Sequence, residues 1–211
     1  RIAARTHMSR ARSLQRRGVV GGILVLCGFS TWLSTAQTSV APRPVSAHAV
    51  KAAFLIRFGE YVEWPEALAS APAAVIVVVG APAVARELAR IAPGRTIHGK
   101  RIVVEEARDD LPKLDGDEYI LYVGENARPD VRRALSRRIA RHSPMLVVAD
   151  DNVALQDRAI IRFVMRDQHV RFEVALEPAR AAGLKLSSRL LSVAEEVSGA
   201  DSLKSDDAPA R

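Results

Sequence analysis

Asp150 and Asp151 stand side by side after a short apolar run. In an open α/β sheet that is where a carboxylate pair would hold a metal or act as general acid and base. Adjacent aspartates after a strand are also ordinary turn-forming and helix-capping residues, and the pair reads first as such. Asp109 and Asp110 lie in a polar loop with no histidine near them in sequence, and read as a solvated turn. A hydrolase built on Asp150 and Asp151 is one of three functions the residues leave open.

The other reactive side chains do not assemble into a set. His48, His98, His142 and His169 are scattered, with no spacing that would bring two imidazoles to one metal. No serine lies in a nucleophile elbow, and Ser187-Ser188 falls where a helix cap is expected. Gly80-Ala81-Pro82 follows a strand but lacks the glycine pattern of a phosphate loop, and Pro82 has no N–H to give. No catalytic residue, metal site or cofactor is predicted. Phe58, Tyr61 and Trp64 cluster at the end of a helix; they read as core, or, in the second function left open, as the wall of a small-molecule pocket.

The elements that must position these residues follow from hydrophobic periodicity. Val50, Phe54, Leu55, Phe58, Tyr61 and Val62 share one arc of a helix predicted over Ala49–Glu63 and stopped by Trp64-Pro65. Lys51 lies inside that arc near the helix start, and reads as a side chain whose stem follows the apolar face while its ammonium reaches water. Ala74–Val79 (AVIVVV) is a β-branched run suited to a central strand covered on both faces. A helix over Ala83–Ile91 and strands over Arg101–Glu105 and Tyr119–Val123 continue the alternation. Pro129–His142 is a helix whose Arg132, Arg133, Arg137, Arg138 and Arg141 form a solvated basic face, and Met145–Ala149 is a fourth strand.

Two runs, Ile160–Met165 and His169–Leu176, flank the polar link Arg166-Asp167-Gln168 and predict a β-hairpin. A short helix over Glu177–Ala182, capped by Gly183, and a closing helix over Lys185–Val197 follow, the latter docking through Leu186, Leu190, Val193, Ala194 and Val197. The expected fold is α/β: a layered arrangement with a mostly parallel sheet, helices on both faces, and a C-terminal β-hairpin followed by a helix.

Charge and cysteine usage narrow the setting. Of the 31 Lys and Arg, six precede residue 37 with no acid among them, leaving 25 basic against 24 acidic side chains. The folded part is therefore nearly neutral, and no nucleic acid is expected as a partner. Arginines, the apolar stretch 18–33 and then small residues read as a cleaved export signal, which at ordinary length would start at Met8. Leu26 is too large for a lipoprotein box at Cys27, and Gly18, Val19 and Val20 do not complete a twin-arginine signal. Ser34/Ala36 and Ala47/Ala49 are the two small-residue pairs open to cleavage. The lone Cys27 leaves with the signal, so the exported chain has no disulfide or thiolate. The expected organisation is an extension and signal over residues 1–36, a flexible leader over 37–46, an α/β domain over 47–198 and a tail over 199–211, with the periplasm as destination.

Four strings then resemble one known family, the YfiR-like periplasmic proteins: Val50–Pro65 (VKAAFLIRFGEYVEWP), Ile97–Val104 (IHGKRIVV), Phe163–Leu176 (FVMRDQHVRFEVAL) and Ala179–Ala194 (ARAAGLKLSSRLLSVA). The resemblance implies a non-enzymatic regulator that binds and represses the periplasmic sensor region of an inner-membrane signalling protein, typically a diguanylate cyclase, and so acts on cyclic di-GMP signalling and biofilm behaviour. It also implies sequestration by an outer-membrane OmpA-like lipoprotein, and a homodimer. The chain departs from its relatives in lacking the cysteines that some of them pair, and in carrying Arg158-Ala159 and Ala175 around the hairpin where many have paired glycines and an asparagine. The expected contact surface is the hairpin and the helix after it: His169, Arg171, Glu173 and Arg180, with Phe172 as an anchor. The alternative is a periplasmic small-molecule binding domain with its pocket near Phe58, Tyr61 and Trp64.

Overall fold

A computed structural model describes residues 45–107, 114, 118–139, 144–155 and 157–199. The expected signal, nearly all of the leader, the tail beyond Gly199, Asp109-Asp110, Arg141 and His142 lie outside the described residues.

Helix α1 (Ala47–Glu60) begins two residues earlier than its apolar spacing indicates, because the Ser46 hydroxyl caps it by accepting from the Ala49 N–H at 3.2 Å. It also ends earlier. The Tyr61 N–H closes the last turn on the carbonyls of Arg57 and Phe58, and the chain then extends as β1 (Val62–Glu63). After the short α2 (Glu66–Ala69), β2 (Ala74–Val79) coincides with the predicted central strand. Helix α3 (Pro82–Ile91), the β3–β4 hairpin (Thr96–Ile97 and Lys100–Ala107), β5 (Glu118–Val123), α4 (Pro129–Ile139) and β6 (Leu146–Asp150) follow. β7 (Ile161–Arg166) and β8 (His169–Ala175) pair antiparallel. Arg166 belongs to the ladder opposite His169, so the turn is only Asp167-Gln168, both left-handed (φ 47° and 63°).

The closing helix expected over Lys185–Val197 is not formed. After α5 (Leu176–Ala181), that stretch divides into β9 (Lys185–Leu186), a single-turn α6 (Ser188–Leu191) capped by Ser187, and β10 (Glu196–Ser198). Two backbone demands override the helical spacing. The Ser187 N–H donates to the Tyr61 carbonyl where β9 pairs with β1, and the Glu195 N–H donates to the Phe172 carbonyl where the chain joins the edge of β8. Val193, placed on the docking face by periodicity, is 62 % exposed.

Among the described residues eight strands form one mostly parallel sheet in the order β10-β8-β7-β6-β5-β2-β4-β3, with antiparallel pairs only at β7/β8 and β3/β4. Alternate residues of its central strands feed two hydrophobic clusters. Ile76, Val78, Ile120 and Val148 pack with Leu55 and Phe58 of α1 and Leu88 of α3. Val77, Val79, Leu121 and Val147 pack with Val131 and Leu135 of α4. Two-sided burial is why these strands read as unbroken apolar runs.

Candidate functional site

β2 and β5 are neighbours, yet the helices that follow them pack into different clusters, α3 with α1 and α4 with the other. Loops that part in this way open a crevice at the carboxyl ends of the strands, the usual ligand position in open α/β sheets. Here the backbone largely closes it. The Gly124 N–H donates to Val79 O at 2.8 Å and the Asn126 N–H to Gly80 O at 3.1 Å. Gly80, at φ +65°, lies so near Ala127 that a Cβ on it would overlap the Ala127 backbone.

Beneath this closure sits Asp150, the last residue of β6 and 5 % exposed. Its Oδ1 accepts from Lys51 Nζ at 2.7 Å and from the Tyr122 hydroxyl at 2.8 Å, and its Oδ2 accepts from the Glu125 N–H at 3.2 Å. The Lys51 ammonium also lies 5.8 Å from the centre of the Phe163 ring. Burial, and then the charge and hydrogen bond of Asp150, hold the Tyr122 phenol well above its ordinary pKa, so it remains a donor. Lys51 is thus not a lysine reaching for water from a helix end; its side chain is 15 % exposed and paired to a carboxylate 99 positions away. Asp151 is exposed, so the adjacent aspartates do not converge on one reactant. A cavity of about 60 Å³ adjoins the pair, lined in part by His48, Glu125 and Asn126, which is water-sized rather than metabolite-sized. An open depression of about 440 Å³ lies beside it, between Gly80, Pro82, Arg86, Glu106, Ala107 and Asn126. Among the described residues no group of three or more His, Cys, Asp or Glu is placed to hold a metal ion.

The three aromatic residues considered for a pocket have separate surroundings. Phe58 is 1 % exposed and its ring meets Phe54, Phe163 and Phe172. Trp64 packs on Tyr119 with ring centres 4.6 Å apart and donates its indole N–H to Gly59 O, while Tyr61 is half-buried at the end of α1.

Along β8, strand alternation separates the expected contact residues. His169 and Arg171 are exposed, and Glu173 is half-buried between Arg162 (3.8 Å) and Arg166 (3.3 Å) rather than paired with Arg171. Arg180 pairs with Glu177 at 2.9 Å. Phe172, expected as a surface anchor, is 2 % exposed and turned into the aromatic cluster, 4.9 Å from Phe58. On α4, Arg133 and Arg137 are exposed, whereas Arg138 reaches the Leu114 carbonyl at 2.6 Å.

The residue that sequence reasoning missed is Lys51. Its signal was present: a lysine inside the apolar arc of a helix, and an aspartate at the end of a buried strand to receive it.

Among the described residues no helix is long and apolar enough to cross a membrane. No curated protein matches the chain. A family model described as YfiR/HmsC-like matches residues 48–195, which take in nearly all of α1, the strands from β1 through β9 and the whole Lys51–Asp150–Tyr122 cluster. The chain belongs to the YfiR/HmsC-like family.

Proposed function

We propose that this chain is an exported periplasmic regulator that binds the sensor region of an inner-membrane signalling protein, a diguanylate cyclase, and holds it inactive, so modulating cyclic di-GMP signalling. The observation that carries the reading is the family match across residues 48–195. The chemistry at the strand ends supports it: the one buried carboxylate among the described residues there, Asp150, is engaged by Lys51, Tyr122 and the Glu125 N–H, an arrangement that fastens α1 to the sheet and occupies the carboxylate.

The contact surface is the outward side of the β7–β8 hairpin with α5, through His169, Arg171, Glu173 and Arg180. Arg171 has no ion pair among the described residues and is available to an acidic group on the partner. An OmpA-like outer-membrane lipoprotein as a second partner, and a homodimer, belong to the same reading. The test is co-purification of the tagged mature chain with the periplasmic region of a cyclase encoded beside it, together with cyclic di-GMP levels in cells with and without the chain. Stable capture and a rise in cyclic di-GMP on deletion are expected; no capture and an unchanged level would overturn the proposal.

A further inference from the structure

At the end of the sheet farthest from that hairpin, β4 runs on past β3 with no further strand beside it among the described residues. β3 and β4 join through His98 (φ 48°) and Gly99 (φ 78°), a two-residue turn in which the closing pair, Ile97 and Lys100, exchanges hydrogen bonds. The backbone groups of Lys100 therefore face β3, and by alternation those of Ile102 and Val104 face the same side, beyond the end of β3. β3 stops because the Arg95 N–H is diverted to the Ala92 carbonyl at 2.9 Å. The Thr96–Arg101 pairing directs the Ile102 N–H to the Arg95 carbonyl, so among the described residues the edge is without a strand from the Ile102 carbonyl through Val104, while β2 pairs with the other edge of β4 from Ile102 to Ala107. Ile102, Val103 and Val104 are half-buried, and Glu105 is exposed with no ion pair among the described residues.

An unpaired edge of this kind is a template for an added strand, unless charge or a bulge forbids it. β4 carries no bulge in its pairing with β2. A second copy of the chain is a poor occupant. Two-fold antiparallel pairing must clear β3, and the first register that does so with the edge groups of both copies in phase sets Glu105 directly opposite Glu105 of the second copy, at a non-hydrogen-bonded pair where side chains are closest. The same carboxylate favours a lysine or arginine in that position. We infer that the free edge of β4 is a strand-addition site for an extended segment of a partner protein, one that alternates, with a basic residue opposite Glu105 and an apolar one opposite Val103. This deepens the regulatory reading and rests on it only in taking the natural occupant to be a protein. It also gives the domain two contact surfaces, at opposite ends of the sheet order.

The test uses the mature chain, labelled for amide NMR, and two capped peptides: Thr-Lys-Thr-Val-Thr-Lys-Thr, which reads alike in both strand directions, and the counterpart with Glu in place of Lys. The lysine peptide at millimolar concentration is expected to slow exchange of the Val104 amide by about tenfold, and the glutamate peptide to leave it unchanged. Val104→Pro removes an outward N–H and is expected to abolish the effect. Should that variant fail to fold, Glu105→Lys is expected to reverse the preference between peptides. No slowing, equal slowing by both peptides, or slowing that survives Val104→Pro and is unaltered by Glu105→Lys would overturn the inference. Because the readout involves no cyclase, its failure is distinct from failure of the co-purification.

Discussion

Lys51 Nζ lies 2.7 Å from Asp150 Oδ1, joining the first helix of the domain to the end of a central strand 99 residues later. The contact is specific because Asp150 is held from three directions, by Lys51, by the Tyr122 hydroxyl and by the Glu125 N–H, so neither partner can relax into solvent without leaving the others unsatisfied. Since α1 also contributes Leu55, Ile56 and Phe58 to the core, the ion pair sets the position of a helix whose packing is otherwise non-directional.

Removing both members of the pair should therefore cost less than the sum of removing each. Asp150→Ala and Lys51→Met are each expected to destabilise the domain by about 3 kcal/mol, because each leaves a buried charge uncompensated. The double variant should fall short of the sum by more than about 1 kcal/mol. Urea denaturation of the four proteins measures this; additivity would show that the two groups do not act on each other.

Tyr122 gives a pH dependence of definite sign. Its folded pKa is raised by burial first and by Asp150 second, so the native state retains a proton that the unfolded chain gives up near pH 10. The stabilisation is complete below that pH and declines as pH rises above it, by up to about 1.4 kcal/mol per pH unit from this group. Tyr119, raised by desolvation, adds in the same direction. Urea midpoints between about pH 9 and 11.5 should fall less steeply in Tyr122→Phe than in the parent protein.

The closed crevice predicts a contrast between two glycines with similar φ. A Cβ on Gly80 (φ +65°) would meet the Ala127 backbone, whereas one on Gly94 (φ +75°) would meet no atom of the described residues within 4 Å beyond its chain neighbours. Gly94→Ala should cost about 1 kcal/mol, the penalty of a left-handed alanine alone. Gly80→Ala adds a backbone overlap and should lower the melting temperature far more, or prevent folding. Similar thermal shifts for the two would show that the loops over β2 and β5 are not in contact.

Where one interaction dominates, the sequence is a sufficient guide. Ala74–Val79 read as a two-sided strand and Arg166-Asp167-Gln168 between two runs as a hairpin link, so both elements were legible, although Arg166 belongs to the ladder and leaves Asp167-Gln168 as the turn. Lys185–Val197 was not, because its apolar spacing is helical while its fate is set by the unpaired edges of β1 and β8, which are remote in sequence. The Lys51–Asp150 pairing escaped for the same reason: the unusual place of each residue was visible, but each also has an ordinary local explanation, and only the packing of α1 over β6 and β7 brings them together.

The hairpin supplies the last prediction, since adjacent residues of β8 separate surface from core. Arg171 is exposed and Phe172 lies among Phe54, Phe58 and Phe163, so the two substitutions should fail in different ways. Arg171→Glu is expected to leave stability within about 0.5 kcal/mol of the parent while reducing capture of the cyclase sensor region at least severalfold, with the larger part of the loss at low salt. Phe172→Ala is expected to destabilise the fold by about 3–5 kcal/mol, and any loss of capture should track the unfolded fraction. Denaturation and binding measured on the same preparations distinguish the two. Unchanged capture by folded Arg171→Glu would remove Arg171 from the contact surface, whatever Phe172→Ala does, because Phe172 reaches a partner only through the strand it supports.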